Sequence, residues 1–112
     1  MRLPAWQDAV IDVGKLRDYL LSESHIRGRF KAIFFTSLGY RASNWRQLEV
    51  DIRSLIDDAH CLIGPATAYG QKYLVSGTLT GPSSRSERVV TVWIVLKGEA
   101  APRFLTAYPE AR

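Results

Sequence analysis

Apolar residues recur at helical spacing in the N-terminal part of the chain. A first run starts after Asp12, a residue type that caps helix N-termini, and ends near Leu21. Its apolar positions are Val13, Leu16, Tyr19 and Leu20. The pattern predicts a short first helix, preceded by an N-terminal arm over residues 1–11. The apolar anchors expected in this arm are Trp6, Val10 and Ile11.

A second helix is predicted from His25 or Ile26 to Leu38. Gly39 follows it, at the position where many helices end in a left-handed residue. Gly28 lies inside this helix, where glycine costs about 1 kcal/mol relative to alanine. The apolar positions are Ile26, Phe30, Ile33, Phe34 and Leu38.

A third helix is predicted to begin at a capping box formed by Asn44 and Gln47 and to end near His60. Its apolar positions define one face of an amphipathic helix. They are Trp45, Leu48, Ile52, Leu55, Ile56 and Ala59.

From Cys61 onward the apolar residues alternate, as is typical of strands. The segment from Cys61 to Ile63 is predicted to be a short strand that Gly64 and Pro65 stop. Three longer strands are predicted over residues 71–79, 88–96 and 103–108. The connections between them are short, which favours antiparallel hairpins.

Helices followed by strands indicate an α+β fold. We expect two to three N-terminal helices packed on one face of a four-stranded, twisted antiparallel sheet. A chain of 112 residues suits one hydrophobic core and not two. Residues 1–112 are therefore predicted to be one domain, helical over 12–60 and sheet over 61–109. The other face of the sheet is expected to be half-open, and to carry Lys72, Ser76, Thr78, Thr91 and Trp93.

The composition favours a cytoplasmic protein. No stretch approaches the roughly 18 apolar residues that a membrane-spanning helix needs, so no membrane association is expected. The N-terminus lacks the charged start and apolar middle of a signal peptide. Cys61 is the only cysteine, so no internal disulfide can form. Delivery as part of a larger effector remains an alternative to cytoplasmic residence.

The net charge of +4 is unevenly distributed. Between Ser24 and Leu48 the chain carries five basic residues and no acidic one. They are Arg27, Arg29, Lys31, Arg41 and Arg46, with His25 as a titratable sixth. Such a patch attracts phosphates or an acidic protein, although a solvated helix face is an equally simple explanation.

The sequence contains no glycine-rich nucleotide loop, nucleophile elbow or paired-histidine metal motif. Its acidic residues are scattered, which disfavours two-metal nuclease chemistry, so no cofactor and no metal ion are predicted. A metal-free ribonuclease needs a base, an acid and cations around the phosphate. His25 suits the first role because it titrates near neutral pH, although it could simply cap a helix.

The predicted strands offer further cations, hydroxyls and aromatic rings. Lys72, Arg88 and Arg103 could hold a phosphate, and Thr106 and Tyr108 could bind its oxygens. Tyr69, Trp93 and Tyr108 could stack on unpaired bases. Sheet packing alone also favours threonine, tyrosine and tryptophan in strands.

Several segments resemble a bacterial domain family found among toxin–antitoxin and polymorphic-toxin genes. The most specific is His25-x-x-Gly28-x-x-Lys31-Ala32, followed by Phe34-Phe35 and Leu38-Gly39-Tyr40. Other matching segments are Tyr69-Gly70-Gln71-Lys72-Tyr73, Gly77-Thr78-Leu79-Thr80-Gly81, Val92-Trp93-Ile94 and the closing run from Arg103 to Pro109. The resemblance extends from about Leu16 to Pro109, and the layout is similar to the Barnase–EndoU–colicin–RelE superfamily of metal-independent ribonucleases.

The resemblance implies a site between the helical and sheet parts. Its implied catalytic residues are His25, Lys31, Lys72, Arg103, Thr106 and Tyr108. The basic patch and the strand residues described above supply the candidate RNA-binding residues, which are Arg27, Arg29, Arg41, Arg46, Tyr69, Arg88 and Trp93. No second histidine occupies a matching position, which favours one histidine working with a lysine or a tyrosine.

Two main hypotheses follow. The first is a toxin that cleaves tRNA or mRNA through a 2′,3′-cyclic phosphate and is neutralised by a small acidic antitoxin or immunity protein on the patch from Arg27 to Arg46. The second is a non-catalytic module that uses its basic face to bind a protein or RNA. A transferase acting on RNA or nucleotides has less support, because no cofactor loop is present.

Overall fold

A computed structural model describes residues 1–22, 24, 29–57 and 60–111. A 3-10 turn (Trp6–Asp8) precedes α1 (Val13–Lys15), which continues as a π-helical turn (Leu16–Leu20). Helix α2 (Arg29–Ser37), a second 3-10 turn (Ala42–Asn44) and helix α3 (Trp45–Asp57) follow. The strands are β1 (His60–Ala66), β2 (Gly70–Thr80), β3 (Ser86–Leu96) and β4 (Arg103–Pro109).

The first two helices lie where the apolar period placed them. The Asp12 side chain accepts a hydrogen bond of 2.8 Å from the Gly14 amide, which confirms it as an N-cap. Helix α2 is described from Arg29, so its predicted start at His25 or Ile26, and Gly28, lie outside the described residues. Gly39 ends this helix region with a φ of 99°, as predicted.

The third helix is described as far as Asp57. The prediction that His60 lies at its end is wrong, because His60 begins β1 and pairs with Ser76 of β2. The predicted core residue Ala59 lies outside the described residues. His60 therefore belongs to β1, although the helical periodicity had assigned it to the end of α3.

The four strands form one antiparallel sheet in the order β1-β2-β3-β4. The prediction that Gly64 and Pro65 stop β1 is wrong, since the strand runs through them to Ala66 with a register shift between Ile63 and Ala66. β1 is an edge strand, where a proline is tolerated because its missing N–H is not needed by a neighbour.

The helices cover one face of this sheet, as predicted. Val75, Val89 and Ala107 of that face belong to the same buried core as Leu48 and Ile52 of α3. Helix α3 packs so closely on β2 that a Cβ on Gly77 would lie 2.8 Å from Leu55 Cγ. The result is the predicted α+β arrangement, with N-terminal helices on a C-terminal sheet.

Thr91 and Trp93 do not lie on the half-open face, and the prediction that placed them there is wrong. Both residues are fully buried under the helices. The Trp93 indole N–H donates to Thr91 Oγ1 at 2.8 Å, and that hydroxyl donates to the Val75 carbonyl at 2.9 Å. Trp93 is therefore a core residue, so it is not accessible for stacking on a base in this conformation.

The N-terminal arm extends the sheet beside β4. Val10 forms a parallel bridge with Arg103, in which the Val10 amide donates to the Pro102 carbonyl and the Phe104 amide donates to the Val10 carbonyl, each at 2.9 Å. The buried anchors of the arm are Leu3 and Ala9, while Trp6 and Ile11 are partly buried. No described helix is both long and apolar enough to cross a membrane.

Candidate functional site

The register of the sheet places four of the predicted catalytic residues on one face. Residues directly opposite each other in an antiparallel ladder share a face. Ile94 lies between Lys72 and Arg103, and Val92 and Val90 pair with Thr106 and Tyr108. The open face is defined here as the sheet face that carries Lys72, Arg103, Thr106 and Tyr108, opposite the helices. It differs from the predicted cleft between helices and sheet.

Helix α2 reaches this face at the edge of β4. The Lys31 ammonium donates to the Tyr19 hydroxyl at 2.9 Å and to Thr106 Oγ1 at 3.0 Å. It also lies 5.2 Å from the centre of the Tyr19 ring, and the Lys15 ammonium lies 6.0 Å from the same ring. We refer to Lys31, Tyr19 and Thr106 as the lysine–hydroxyl cluster.

Packing on both sides fixes the geometry of this cluster. Tyr19 sits in the π-helical turn between the fully buried Leu16 and Leu20. Thr106 follows an irregularity in β4, where the register with β3 shifts beside Leu105. Such a bulge redirects the side chains next to it, and it lies where the lysine reaches the strand.

The cluster has an unusual charge balance. Lys31 is half-buried and forms no ion pair with a carboxylate of the described residues. Its ammonium, by donating to the phenol oxygen, lowers the pKa of Tyr19, and Thr106 and Lys15 act in the same direction. The cluster therefore combines a cation that can hold an anion with a phenol that is more acidic than usual.

The two predicted strand arginines are already paired. Arg103 donates through Nε and Nη2 to the Glu99 carboxylate at 2.9 and 3.2 Å, and this contact lowers the pKa of Glu99. Arg88 donates to Glu110 at 3.1 Å. Both pairs are exposed, so the carboxylates orient the arginines and reduce their net charge.

The remaining predicted residues divide into two groups. His25 and Arg27 lie outside the described residues, and Arg29 is described only as the first residue of α2. Arg41, Arg46 and Tyr69 are exposed, and the Arg46 guanidinium lies 4.6 Å from the centre of the Trp45 ring.

Tyr19 is the site residue that sequence reasoning missed. It occupies an apolar position in the period of the first helix and was therefore expected in the core. A tyrosine among aliphatic residues on a helix carries a hydroxyl that needs a partner, and that is the signal that could have identified it. In the described part of the chain, no three His, Cys, Asp or Glu residues cluster as metal ligands do.

Comparison with known proteins identifies the family and the fold. The chain is similar to a chain of a contact-dependent growth inhibition toxin–immunity protein complex from Klebsiella pneumoniae 342, with a TM-score of 0.67 and 19% sequence identity. The alignment covers 96% of this chain and 97% of that one. No curated protein matches the chain. A family model described as "Domain of unknown function (DUF6883)" matches residues 2–111, and the chain therefore belongs to the DUF6883 family.

Proposed function

We propose that this protein is a bacterial toxin domain that cleaves RNA without a metal ion, through a 2′,3′-cyclic phosphate. The observation that carries the proposal is the lysine–hydroxyl cluster, in which an ammonium without a described carboxylate partner meets two hydroxyls at the open face. The shared fold with a chain of a toxin–immunity complex supports the toxin role. The resemblance to metal-independent ribonucleases supports the reaction.

The cluster supplies the groups that this reaction needs. In the proposed reaction the RNA 2′-oxygen forms a bond to phosphorus, and the bond from phosphorus to the 5′-oxygen breaks. Lys31 stabilises the charge on the phosphate oxygens, and Thr106 orients the ammonium. Tyr19, with its lowered pKa, donates a proton to the leaving 5′-oxygen. His25 is the proposed base that removes the proton from the 2′-hydroxyl.

In this proposal, residues of the open face make the remaining contacts with the RNA. Lys72 and Arg103 flank Ile94 in one row across three strands, and we propose that these two cations contact the RNA backbone. Tyr108 lies on the same face as Thr106. Tyr69 is exposed at the β1–β2 turn and is available to stack on an unpaired base.

We also propose that a small acidic antitoxin or immunity protein neutralises this activity. The exposed Arg41 lies on the connection between α2 and α3, and the exposed Arg46 lies in the first turn of α3. Both belong to the segment that carries five bases and no acid. Complementary charge on a partner would speed association with this segment.

Expression and cleavage assays test the proposal. Induced expression without a partner should stop bacterial growth, and purified protein should cut RNA in the presence of EDTA to give 2′,3′-cyclic phosphate ends. Lys31→Met should reduce the cleavage rate by about 10²–10³-fold, the usual loss when one group that stabilises transition-state charge is removed. Lys97→Met, which removes an exposed lysine from the β3–β4 turn, serves as the matched control. Equal cleavage by both variants would refute the assignment of the site.

A non-catalytic binding module is the second candidate. On the open face the edge strand β1 carries the exposed Leu62, whereas Val90, Val92 and Ile94 of β3 are buried. An exposed apolar residue on an edge strand favours contact with another protein. This candidate predicts no growth arrest, no cleavage and a tight complex with a protein partner.

A further inference from the structure

A small pocket lies between the N-terminal arm and the ends of β3 and β4. Its volume is about 250 Å³. Val10 of the arm, Ile94 and Leu96 of β3, and Leu105 of β4 form its apolar lining. Pockets for drug-sized ligands occupy roughly 300–1,000 Å³, so this one has room for a single small ring system.

Three charged residues also line this pocket. They are Asp12, Lys15 and Arg103, and all three are exposed at its rim. The lysine and the arginine donate hydrogen bonds, whereas the aspartate accepts them. The N-cap contact uses one oxygen of Asp12, and the Glu99 contact uses Nε and Nη2 of Arg103. A hydrocarbon ligand would leave the second Asp12 oxygen, Nη1 of Arg103 and the Lys15 ammonium without a partner, and a phosphate would be repelled by Asp12. A nucleobase fits both the apolar lining and the charged rim, because its faces are apolar and its edges carry both hydrogen-bond donors and acceptors.

The pocket adjoins the lysine–hydroxyl cluster at two points. Leu105 directly precedes Thr106 in β4. Lys15 lies 6.0 Å from the centre of the Tyr19 ring and also lines the pocket. A nucleotide whose phosphate binds Lys31 therefore has a slot for its base within reach.

We propose that this pocket binds the base of the nucleotide next to the scissile phosphate. The proposal rests on the ribonuclease function proposed above. The Asp12 carboxylate favours bases with an exocyclic amino group, so RNA with guanine, adenine or cytosine at this position is cut in preference to RNA with uracil. Val10 of the N-terminal arm and Asp12, the N-cap of α1, thereby take part in substrate choice.

Filling the pocket tests the proposal. Val10 holds the arm through backbone hydrogen bonds, so Val10→Trp fills the pocket without removing them. This variant should raise the KM for a short RNA by about tenfold or more and change kcat little, as expected when uniform binding is lost. Val50→Trp, at an exposed valine of α3, is the matched control and should cleave like the wild type.

A second variant tests the rim. Asp12→Asn keeps the N-cap, because asparagine caps as well as aspartate, and it removes the carboxylate. Four RNAs that differ only in the base next to the scissile phosphate are compared as substrates. The Asp12→Asn variant should discriminate less against the RNA with uracil than the wild type does. If Val10→Trp keeps the wild-type KM, or Asp12→Asn keeps the wild-type base preference, the pocket does not bind the base.

A nucleotide-binding assay tests the pocket independently of the proposed ribonuclease function. Nucleoside monophosphates added to the labelled wild-type protein should shift the NMR signals of Val10 and Leu105, and the shifts should disappear in Val10→Trp. Binding without any RNA cleavage would overturn the ribonuclease and leave the pocket in place. RNA cleavage without these shifts would overturn the pocket alone.

Discussion

At the scale of single residues, Lys31 is the group on which the proposed chemistry depends. An ammonium has three N–H donors, and two of those of Lys31 point to the hydroxyls of Tyr19 and Thr106. Neutral acceptors hold the side chain in place without cancelling its charge. The positive charge therefore remains available to an incoming phosphate and acts on the phenol beside it.

Replacing Lys31 should change the ionisation of Tyr19. The ammonium lowers the pKa of the phenol because it stabilises the phenolate, so Lys31→Met should raise that pKa. The stability that Tyr19 contributes is present above the ordinary tyrosine pKa and is lost as the pH falls through the lowered value. Ultraviolet difference titration measures the shift, with Tyr19→Phe to identify the signal. An unchanged titration in Lys31→Met would contradict the coupling.

Sequence reasoning identified some of these residues and misplaced others for a physical reason. Lys31 and Thr106 were selected from a family resemblance, and the structure brings them to 3.0 Å. The predicted alternation of side chains within β3 was correct. Alternation alone does not show which set of β3 side chains lies on the same face of the sheet as Lys72 of β2. The register pairs Lys72 with Ile94, so Trp93 belongs to the buried face. Register depends on the folded sheet and cannot be derived from one strand.

At the scale of elements, Tyr40 joins the end of α2 to α3 and β2. Its hydroxyl donates to Asp51 Oδ2 at 2.5 Å and lies 3.4 Å from the Thr80 carbonyl. Burial, with a contribution from Asp51, raises the pKa of Tyr40, so the phenol stays protonated and remains a donor. The contact fixes how the helical part sits on the sheet.

Tyr40→Phe should therefore destabilise the fold. The variant removes a hydrogen bond to a charged acceptor in a buried position, which typically contributes about 1.5–3 kcal/mol. Gln47 still donates to the other Asp51 oxygen at 3.0 Å, so the carboxylate keeps one partner. Urea unfolding measures the loss, and Tyr69→Phe, at an exposed tyrosine, is the control. Equal free energies of unfolding would show that the contact contributes nothing.

The β2–β3 hairpin and α2 meet at a contact that only glycine allows. The Ser83 amide donates to the Leu38 carbonyl at 3.0 Å, and a Cβ on Gly81 would collide with that same carbonyl. Gly81→Ala should lower the free energy of unfolding by about 1–3 kcal/mol, as for other overpacked sites. Gly64→Ala is the control, since its Cβ would meet the nearest atom at 3.4 Å. Thermal unfolding of the two variants distinguishes backbone collision from a general effect of alanine.

Helix and strand positions were largely predictable, because apolar periodicity reports burial. The errors occurred where pairing overrides local pattern, at His60 and at Gly64-Pro65. His60 continues a helical period in the sequence, yet its backbone pairs with Ser76. β1 is an edge strand and tolerates Pro65, because an edge strand needs backbone N–H donors only on the side that pairs with its neighbour.

At the scale of the whole molecule, the net charge of +4 matters through its placement. Arg103 and Arg88 on the sheet have carboxylate partners, whereas Lys31 and Lys72 form no ion pair among the described residues. Lys31 reaches the open face from α2, and Lys72 lies on this face in β2. A polyanion drawn to the molecule by its overall charge would therefore find its local contacts on this face.

The salt dependence of RNA binding should reveal those contacts. Each phosphate neutralised on a single strand adds about 0.7 to the slope of log affinity against log salt. Lys72→Gln should reduce that slope by about 0.7 if the lysine holds a phosphate. Arg2→Gln removes the same charge from an exposed residue near Asp57 and should leave the slope unchanged. RNA with 2′-O-methyl groups allows binding to be measured, because its 2′-oxygen cannot attack the phosphate. Equal slopes for the two variants would mean that net charge alone attracts the RNA, and that Lys72 makes no phosphate contact.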